Sequence, residues 1–376
     1  MAGIYIHVPF CRKACTYCNF HFSTNLDRKE GYLKALLKEI EVRDSFLTDE
    51  KINSIYLGGG TPSVLSAREL QLVFSKLAEH YDLSGLSEVT LEANPDDLNK
   101  DYIGTLAEVG INRLSIGVQS FNDKVLKWMN RSHSAKQAHL AIEWALAAGF
   151  NQLTADLIYG IPMRSLEEFS VDLENFSSYE IPHFSAYALT VEPKTILAHR
   201  IRKKTEIAPR ENEVVRQFEF LMDWAAEKNY EHYEISNFAL PGQRAVHNSS
   251  YWKGIPYLGL GPSAHSFDGQ NRFWNIANNA IYEKKLFAGE LPLEMEELSP
   301  ENHYNEYLMT ALRLIEGVDR EKALSILPEA KISFDETRNR LEKSGLLKQN
   351  KRKHFQLTKK GKLLADYIAS EFMVVD

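Results

Sequence analysis

Six times along the chain, a short β-rich apolar run is followed by a loop and then by apolar residues at helical spacing. The strand-like runs are GIYIHV from Gly3, KINSIYL ending at Leu57, EVTLEA ending at Ala93, RLSIGV ending at Val118, QLTADLI ending at Ile158 and HFSAYAL ending at Leu189. The intervening helices are amphipathic: Tyr32, Leu36, Leu37 and Ile40 share one face of the first, and Leu70, Val73, Phe74 and Leu77 one face of the second. Repeated βα units predict parallel strands with right-handed crossovers. Six of them predict a partial (β/α)6, TIM-like barrel, an α/β fold; a doubly wound open sheet is the alternative that the same pattern allows. A helix is predicted over about 210–228, then a Gly-, Pro- and aromatic-rich stretch from Tyr230 to about Asn275, then a helical remainder from about Pro300. That remainder closes with a helix, a Gly turn, a basic hairpin and a last helix, the pattern of a winged-helix module. The predicted organisation is a core over 1–210, an extension over 211–299 and a winged-helix-like domain over 300–376.

Composition narrows the function classes. The chain has 376 residues, 44% hydrophobic and 25% charged, enough for a large core plus a smaller domain. A net charge of −7 argues against a general nucleic-acid binder. The charge is uneven: between Arg338 and Lys362 ten Lys/Arg face one acid, Glu342. No run approaches the roughly 18–20 apolar residues of a membrane span. The first residues run straight into a strand without a signal-peptide pattern, so a cytoplasmic location is expected.

There are three cysteines, Cys11, Cys15 and Cys18, within eight residues after the first strand. An odd, clustered set is a metal site rather than a disulfide framework. A [4Fe–4S] cluster normally takes four thiolates, so three leave one iron open to a small molecule. The competing reading is zinc, with His7 or His21 as fourth ligand. Strand C-terminal ends carry the active site in (β/α) folds, and polar residues gather there. Gly58-Gly59-Gly60-Thr61-Pro62 follows strand two, Glu92 ends strand three, Gln119 ends strand four, Arg131 follows in NRSH, and Asp156 lies in strand five. The glycine run is either a ligand-cradling loop or a tight βα turn; it lacks the Gly-Lys-Ser/Thr of a phosphate loop. Further on, His247-Asn248-Ser249-Ser250-Tyr251-Trp252 offers an imidazole and two flat aromatics, either for a heme or as a packed core. Gly259, Gly261 and His265 follow in GLGPSAHSF, His265 being an alternative heme ligand.

CRKACTYC resembles the C-x3-C-x-aromatic-C signature of the radical S-adenosylmethionine (SAM) superfamily. In those proteins the open iron chelates the amino and carboxylate groups of SAM, whose reductive cleavage gives methionine and a 5′-deoxyadenosyl radical. Over nearly the whole chain the sequence resembles the oxygen-independent coproporphyrinogen III oxidase-like family. The resemblance implies SAM contacts at Tyr5, Tyr17, Gly59, Gly60, Thr61, Glu92, Gln119, Arg131, Asp156 and Ala188. Glu92 and Arg131 would hold the carboxylate and ribose region, and Gln119 and Asp156 the ribose.

Three departures separate the chain from the oxidase pattern. Phe20 stands where the oxidases place a further Cys, ten residues precede Cys11 where they carry an N-terminal extension, and HNSSYW matches the HNxxYW motif of the family's heme chaperone branch. That branch implies heme as cargo, held by His247, Tyr251 and Trp252, and respiratory hemoproteins as acceptors. The oxidase activity, decarboxylation of coproporphyrinogen III to protoporphyrinogen IX, is the alternative. The basic C-terminal end is read as a structural cap or a peripheral docking face for anionic lipid or a membrane-bound acceptor, in preference to a nucleic-acid surface.

Overall fold

The structure is a computed structural model and describes residues 1–47 and 50–374. In chain order the first elements are β1 (Ala2–Val8), α1 (Lys29–Val42), β2 (Ile52–Gly59), α2 (Ala67–His80), β3 (Glu88–Ala93), α3 (Lys100–Glu108) and β4 (Arg113–Gln119). There follow α4 (Asp123–Trp128), α5 (Ala135–Ala147), β5 (Gln152–Tyr159), α6 (Leu166–Ser177), β6 (His183–Ala188), α7 (Ile196–Arg202) and α8 (Glu211–Glu227). Next come β7 (Glu231–Glu234), β8 (Asn237–Ala239), α9 (Val246–Trp252), β9 (Tyr257–Leu260), β10 (His265–Phe267), β11 (Asn271–Asn275), α10 (Asn279–Phe287) and β12 (Leu293–Glu297). The chain ends in α11 (Pro300–Arg313), α12 (Arg320–Ile326), α13 (Lys331–Lys343), β13 (Leu347–Gln349), β14 (Phe355–Leu357), α14 (Lys359–Lys362) and α15 (Ala365–Phe372).

The chain gathers into two compact units. One comprises 1–214 and 255–296; the other comprises 215–254 and 297–376. The predicted extension over 211–299 is therefore divided: its HNSSYW helix α9 lies in the second unit and its glycine-rich strand β9 in the first.

In the first unit β1 to β6 are parallel neighbours in chain order, with helical crossovers, as the repeated βα pattern predicts for a partial (β/α)6 barrel. On the far side of β1 lies β9, also parallel, followed by antiparallel β10 and β11. The helices start where the sequence caps them: Ser66, Ser134 and Ser165 each form a reciprocal capping box with the Glu or Gln three residues on.

The barrel strands alternate strictly. Ile4, Ile6 and Val8 are fully buried towards the helices, and Tyr5 and His7 take the opposite face. The same inner face is polar on the following strands, with Tyr56, Thr90 and Glu92, Ser115 and Gln119, Thr154 and Asp156, and His183 and Ser185. At its floor Arg113 lies 3.8 Å from Glu88 and donates to Thr154 Oγ1 at 2.8 Å, which in turn meets His183 Nδ1 at 3.1 Å. Paired groups of this kind satisfy buried polar atoms and leave the upper end for ligand chemistry.

A buried network also ties α1 to the β9–β11 side. Glu39 accepts from Gly261 N at 2.8 Å, Asn275 Nδ2 at 2.6 Å and Tyr282 Oη at 2.6 Å. The second unit has its own core of Tyr304, Leu308, Phe334, Phe355, Ile368 and others, and its α13–β13–β14–α15 order is that of the winged-helix-like module.

Candidate functional site

The cysteine loop leaves the end of β1 and is tied down along its length. Cys11 N donates to Ser23 O at 3.0 Å, Arg12 Nε to Asp97 Oδ1 at 2.5 Å and Thr16 N to Met129 O at 3.0 Å. Thr16 O accepts from Leu197 N at 2.8 Å, Ala14 O from Asn130 Nδ2 at 2.8 Å, and Glu192 from Asn19 Nδ2 at 3.1 Å. The loop is thereby anchored to the segment after β3, to the C-terminal end of α4 and to the segment from β6 into α7.

All three thiols are free and half-buried. Thr61 Oγ1 donates to Cys11 Sγ at 3.4 Å, and Arg131 Nη1 to Cys15 Sγ at 3.4 Å. Burial pushes the Cys11 thiol up to about 11, and that of Cys18 up as well. Bound cationic iron would offset that cost of the thiolate form.

Zinc would need a tighter set. His7 uses Nδ1 on Tyr5 Oη at 3.1 Å and Nε2 on His21 O at 2.8 Å, while His21 Nε2 meets Asn279 at 2.6 Å. Among the described residues no three His, Cys, Asp or Glu side chains converge as one ion requires. Three separated thiols, each able to take its own iron, suit a polynuclear cluster.

Asn94 joins the two sulfur contacts. It donates to Thr61 Oγ1 at 3.4 Å and accepts from Arg131 Nη2 at 2.7 Å, so one continuous chain runs from Cys11 through Thr61, Asn94 and Arg131 to Cys15. Arg131 also donates to Gly117 O at 2.8 Å, and its Nε is buried without a partner. An orphaned, buried guanidinium donor in the loop between α4 and α5 fits an anionic ligand group such as the carboxylate of SAM. Tyr17 lies beside the same guanidinium; burial pushes its phenol up, and the positive charge opposes that push.

Glu92 accepts from Tyr56 Oη at 2.6 Å and from Gly59 N at 3.2 Å. Burial, opposed by these bonds and reinforced by nearby Asp156, raises its carboxyl to about 7. Burial likewise raises Asp156, held by Ser115 Oγ at 3.1 Å and by Ser185, to about 6. Gln119 sits past a register shift in β4 with φ 65, a conformation that turns its side chain. A Cβ on Gly117 would come within 3.0 Å of Gln119 Nε2 and 3.1 Å of Arg131 Nη2, which places these two side chains together. Ala188 ends β6 opposite Tyr159.

The glycine run faces the chain's own backbone. A Cβ on Gly60 would come within 2.7 Å of the Val8 and Phe10 carbonyls, and one on Gly59 (φ +102) within 2.5 Å of the His7 ring. Its smallness therefore lets the β2 turn lie directly on the root of the cysteine loop.

The structure thus brings together Tyr5, Tyr17, Thr61, Glu92, Gln119, Arg131, Asp156 and the cysteines. Tyr56, Asn94 and Ser115 join them without being singled out by the sequence reading; a polar residue at every second position of β2, β3 and β4 is the signal that marks Tyr56 and Ser115.

The HNSSYW residues belong to the second unit and are engaged within it. His247 is 2% exposed, its Nε2 3.1 Å from Tyr251 Oη, with the two rings edge to face at 4.9 Å. Burial lowers its imidazole to about 3, which keeps it neutral. Trp252 lies under Arg313, 5.7 Å from ring centre to guanidinium carbon. His265 begins β10 and is exposed, its ring beside Trp274.

Comparison with known proteins places this arrangement. Residues 5–175 match the model of the radical SAM superfamily. The chain is 36% identical to the heme chaperone HemW of Lactococcus lactis, over 99% of this chain and 97% of that one. It is 31% identical to the heme chaperone HemW of Bacillus subtilis, over 99% of each. Among solved structures, the coproporphyrinogen III oxidase HemN of Escherichia coli superposes with a TM-score of 0.85 at 22% identity, covering 99% of this chain and 90% of that one.

Proposed function

The chain belongs to the heme chaperone HemW family, within the radical SAM superfamily, and on that premise we propose that it holds a [4Fe–4S] cluster on Cys11, Cys15 and Cys18, binds SAM on the adjoining strand ends, and carries heme to hemoproteins of the respiratory chain. The observation that carries the cofactor part is the hydrogen-bonded chain from Cys11 through Thr61, Asn94 and Arg131 to Cys15, which ends at the unpartnered Arg131 Nε.

The residues divide the work. Thr61 and Arg131 donate to two of the three sulfurs, which favours their thiolate form and tunes the electron density on the iron they would hold. Arg131 Nε remains for the SAM carboxylate; Glu92, expected from the resemblance at the carboxylate and ribose region, is read instead as the counter-charge for the neighbouring ammonium once ionised, because two carboxylates side by side would repel. Asp156, with Ser115 and Ser185, is an acceptor for ribose hydroxyls. When bound, the cluster supplies one electron for the reductive cleavage of SAM.

Heme enters through the relatives, which are described as heme chaperones, and His247, Tyr251 and Trp252 are the residues the family motif assigns to it. The likeness to the oxidase is one of fold.

The test is anaerobic reconstitution, with about four irons and four sulfides expected per chain, followed by SAM binding and hemin titration. A zinc-loaded protein that takes up no cluster would falsify the cofactor part. A reconstituted protein that binds no hemin overturns the carrier part.

A further inference from the structure

HNSSYW offers a heme one imidazole and two aromatic rings but no cation, because burial holds His247 neutral. A heme carries two propionates on one edge, and carboxylates of that kind are ionised at neutral pH. The positive charge set against the motif comes from another helix of the same unit. On α11, Tyr304, Leu308, Ala311 and Leu312 are buried in the core of the second unit. Arg313, in the last turn of α11, leaves that core and lies over Trp252, the last residue of α9 and of the motif. Its guanidinium carbon is 5.7 Å from the ring centre, a cation–π contact. Met309, four residues earlier and so on the same face of α11, is an exposed apolar side chain.

The hydrogen bonds of Arg313 leave it available. A guanidinium has five N–H donors. Among the described residues only Asp366 accepts from this one, through Nη2, and the Asp366 side chain is 82% exposed. An ion pair with a partner so open to water is weak and easily exchanged. Glu234, a second carboxylate that feels the Arg313 charge, is held by Asn237 Nδ2 and by Ser236 N at 3.0 Å. Arg244, just ahead of α9, makes the contrast. It lies over Tyr233, but Glu231 at 2.8 Å and Glu316 at 2.6 Å both accept from it. Arg313 thus touches the aromatic face of the motif, stays charged, and has donors for a carboxylate that arrives along that face.

We infer that Arg313 is the propionate anchor of the heme carried on α9: with the macrocycle against Trp252, its guanidinium leaves Asp366 and takes a propionate. This rests on the heme-carrier reading above and deepens it, by giving the charged edge of the cargo a partner on α11. Asp366 is then a resident competitor, which occupies the guanidinium while the carrier is empty and yields it when heme arrives.

The experiment is titration of the full-length protein with hemin and, separately, with hemin dimethyl ester, whose propionates are uncharged, followed by absorption. The proteins are wild type, Arg313→Gln, Asp366→Asn and Lys253→Gln, the last removing the exposed cation that follows Trp252; circular dichroism verifies the fold of each. Wild type should bind hemin at least about tenfold more tightly than the ester. Arg313→Gln should lose that preference, its affinity for hemin falling to that for the ester. Asp366→Asn should bind hemin about two- to fivefold more tightly, with its affinity for the ester unchanged. A bridge that merely ties α11 to α15 predicts instead that both variants weaken for both porphyrins alike, and that result overturns the anchor. Arg313→Gln with the wild-type preference overturns it too, as does a loss of preference confined to Lys253→Gln. If wild type binds both porphyrins equally, the anchor falls while the carrier reading stands. If wild type binds no hemin, the carrier reading itself falls and the anchor with it.

Discussion

Glu92 shows how one side chain reports on the site. Its carboxyl stands near 7 against an ordinary value of 4.5, chiefly through burial. The ligand-free protein therefore keeps a proton that the unfolded chain releases, and loses stability as pH rises from about 4.5 to about 7. Glu92→Gln should flatten that part of a melting-temperature profile. The same ionisation makes the counter-charge for an ammonium, so SAM affinity should climb as pH passes through about 7. In Glu92→Gln the affinity should fall by about 10–100-fold and lose this dependence, as calorimetry would show. Asn94 acts at one remove, by fixing the Thr61 and Arg131 donors. Asn94→Ala should leave the fold intact but weaken iron retention by about 10–100-fold, read as iron release to a chelator. The two residues differ in legibility. Glu92 stands out in the sequence because an acid ending an apolar strand needs a reason. Asn94 reads as an ordinary turn residue before Pro95, and its role exists only because β4 and the loop carrying Arg131 close on it in space.

The elements were the most legible level, since period and caps are local properties. All six βα repeats and α8 lie where apolar spacing predicts them. Less visible were the packing reasons for particular glycines. Gly60 lies against two backbone carbonyls of the cysteine-loop root, whereas a Cβ on Gly104, inside α3, would meet nothing within 4 Å. Gly60→Ala should cost about 1–3 kcal/mol through overpacking and lower cluster occupancy with it. Gly104→Ala should instead raise stability by about 0.5–1 kcal/mol, because a helical glycine gives up more chain entropy than alanine. Thermal unfolding of the pair, beside iron content, separates a turn that supports the site from a helix that does not.

At the scale of the whole molecule, family membership and the oxidase fold have different consequences. Phe20 stands where the oxidase pattern places a Cys, and it is largely exposed beside the thiol loop. Incubation with coproporphyrinogen III, SAM and a reductant should give no catalytic protoporphyrinogen by product analysis; turnover would return the chain to the oxidase reading. The sequence did not disclose that the chain passes into the second unit, returns to the first and leaves again, because segment boundaries of that kind depend on pairings between distant residues. One such pairing matters for how the protein is made. β1, the strand that leads into the cysteines, has β2 on one edge and β9 on the other, with Gly3 opposite Tyr257. At about 5–20 residues per second, a ribosome needs roughly 13–50 s to supply that second neighbour. Throughout that interval the nascent chain displays an open strand edge next to three reduced thiols, so the point at which iron and sulfide are delivered during synthesis, and the chaperones that shield the edge until then, should decide how much of the protein matures.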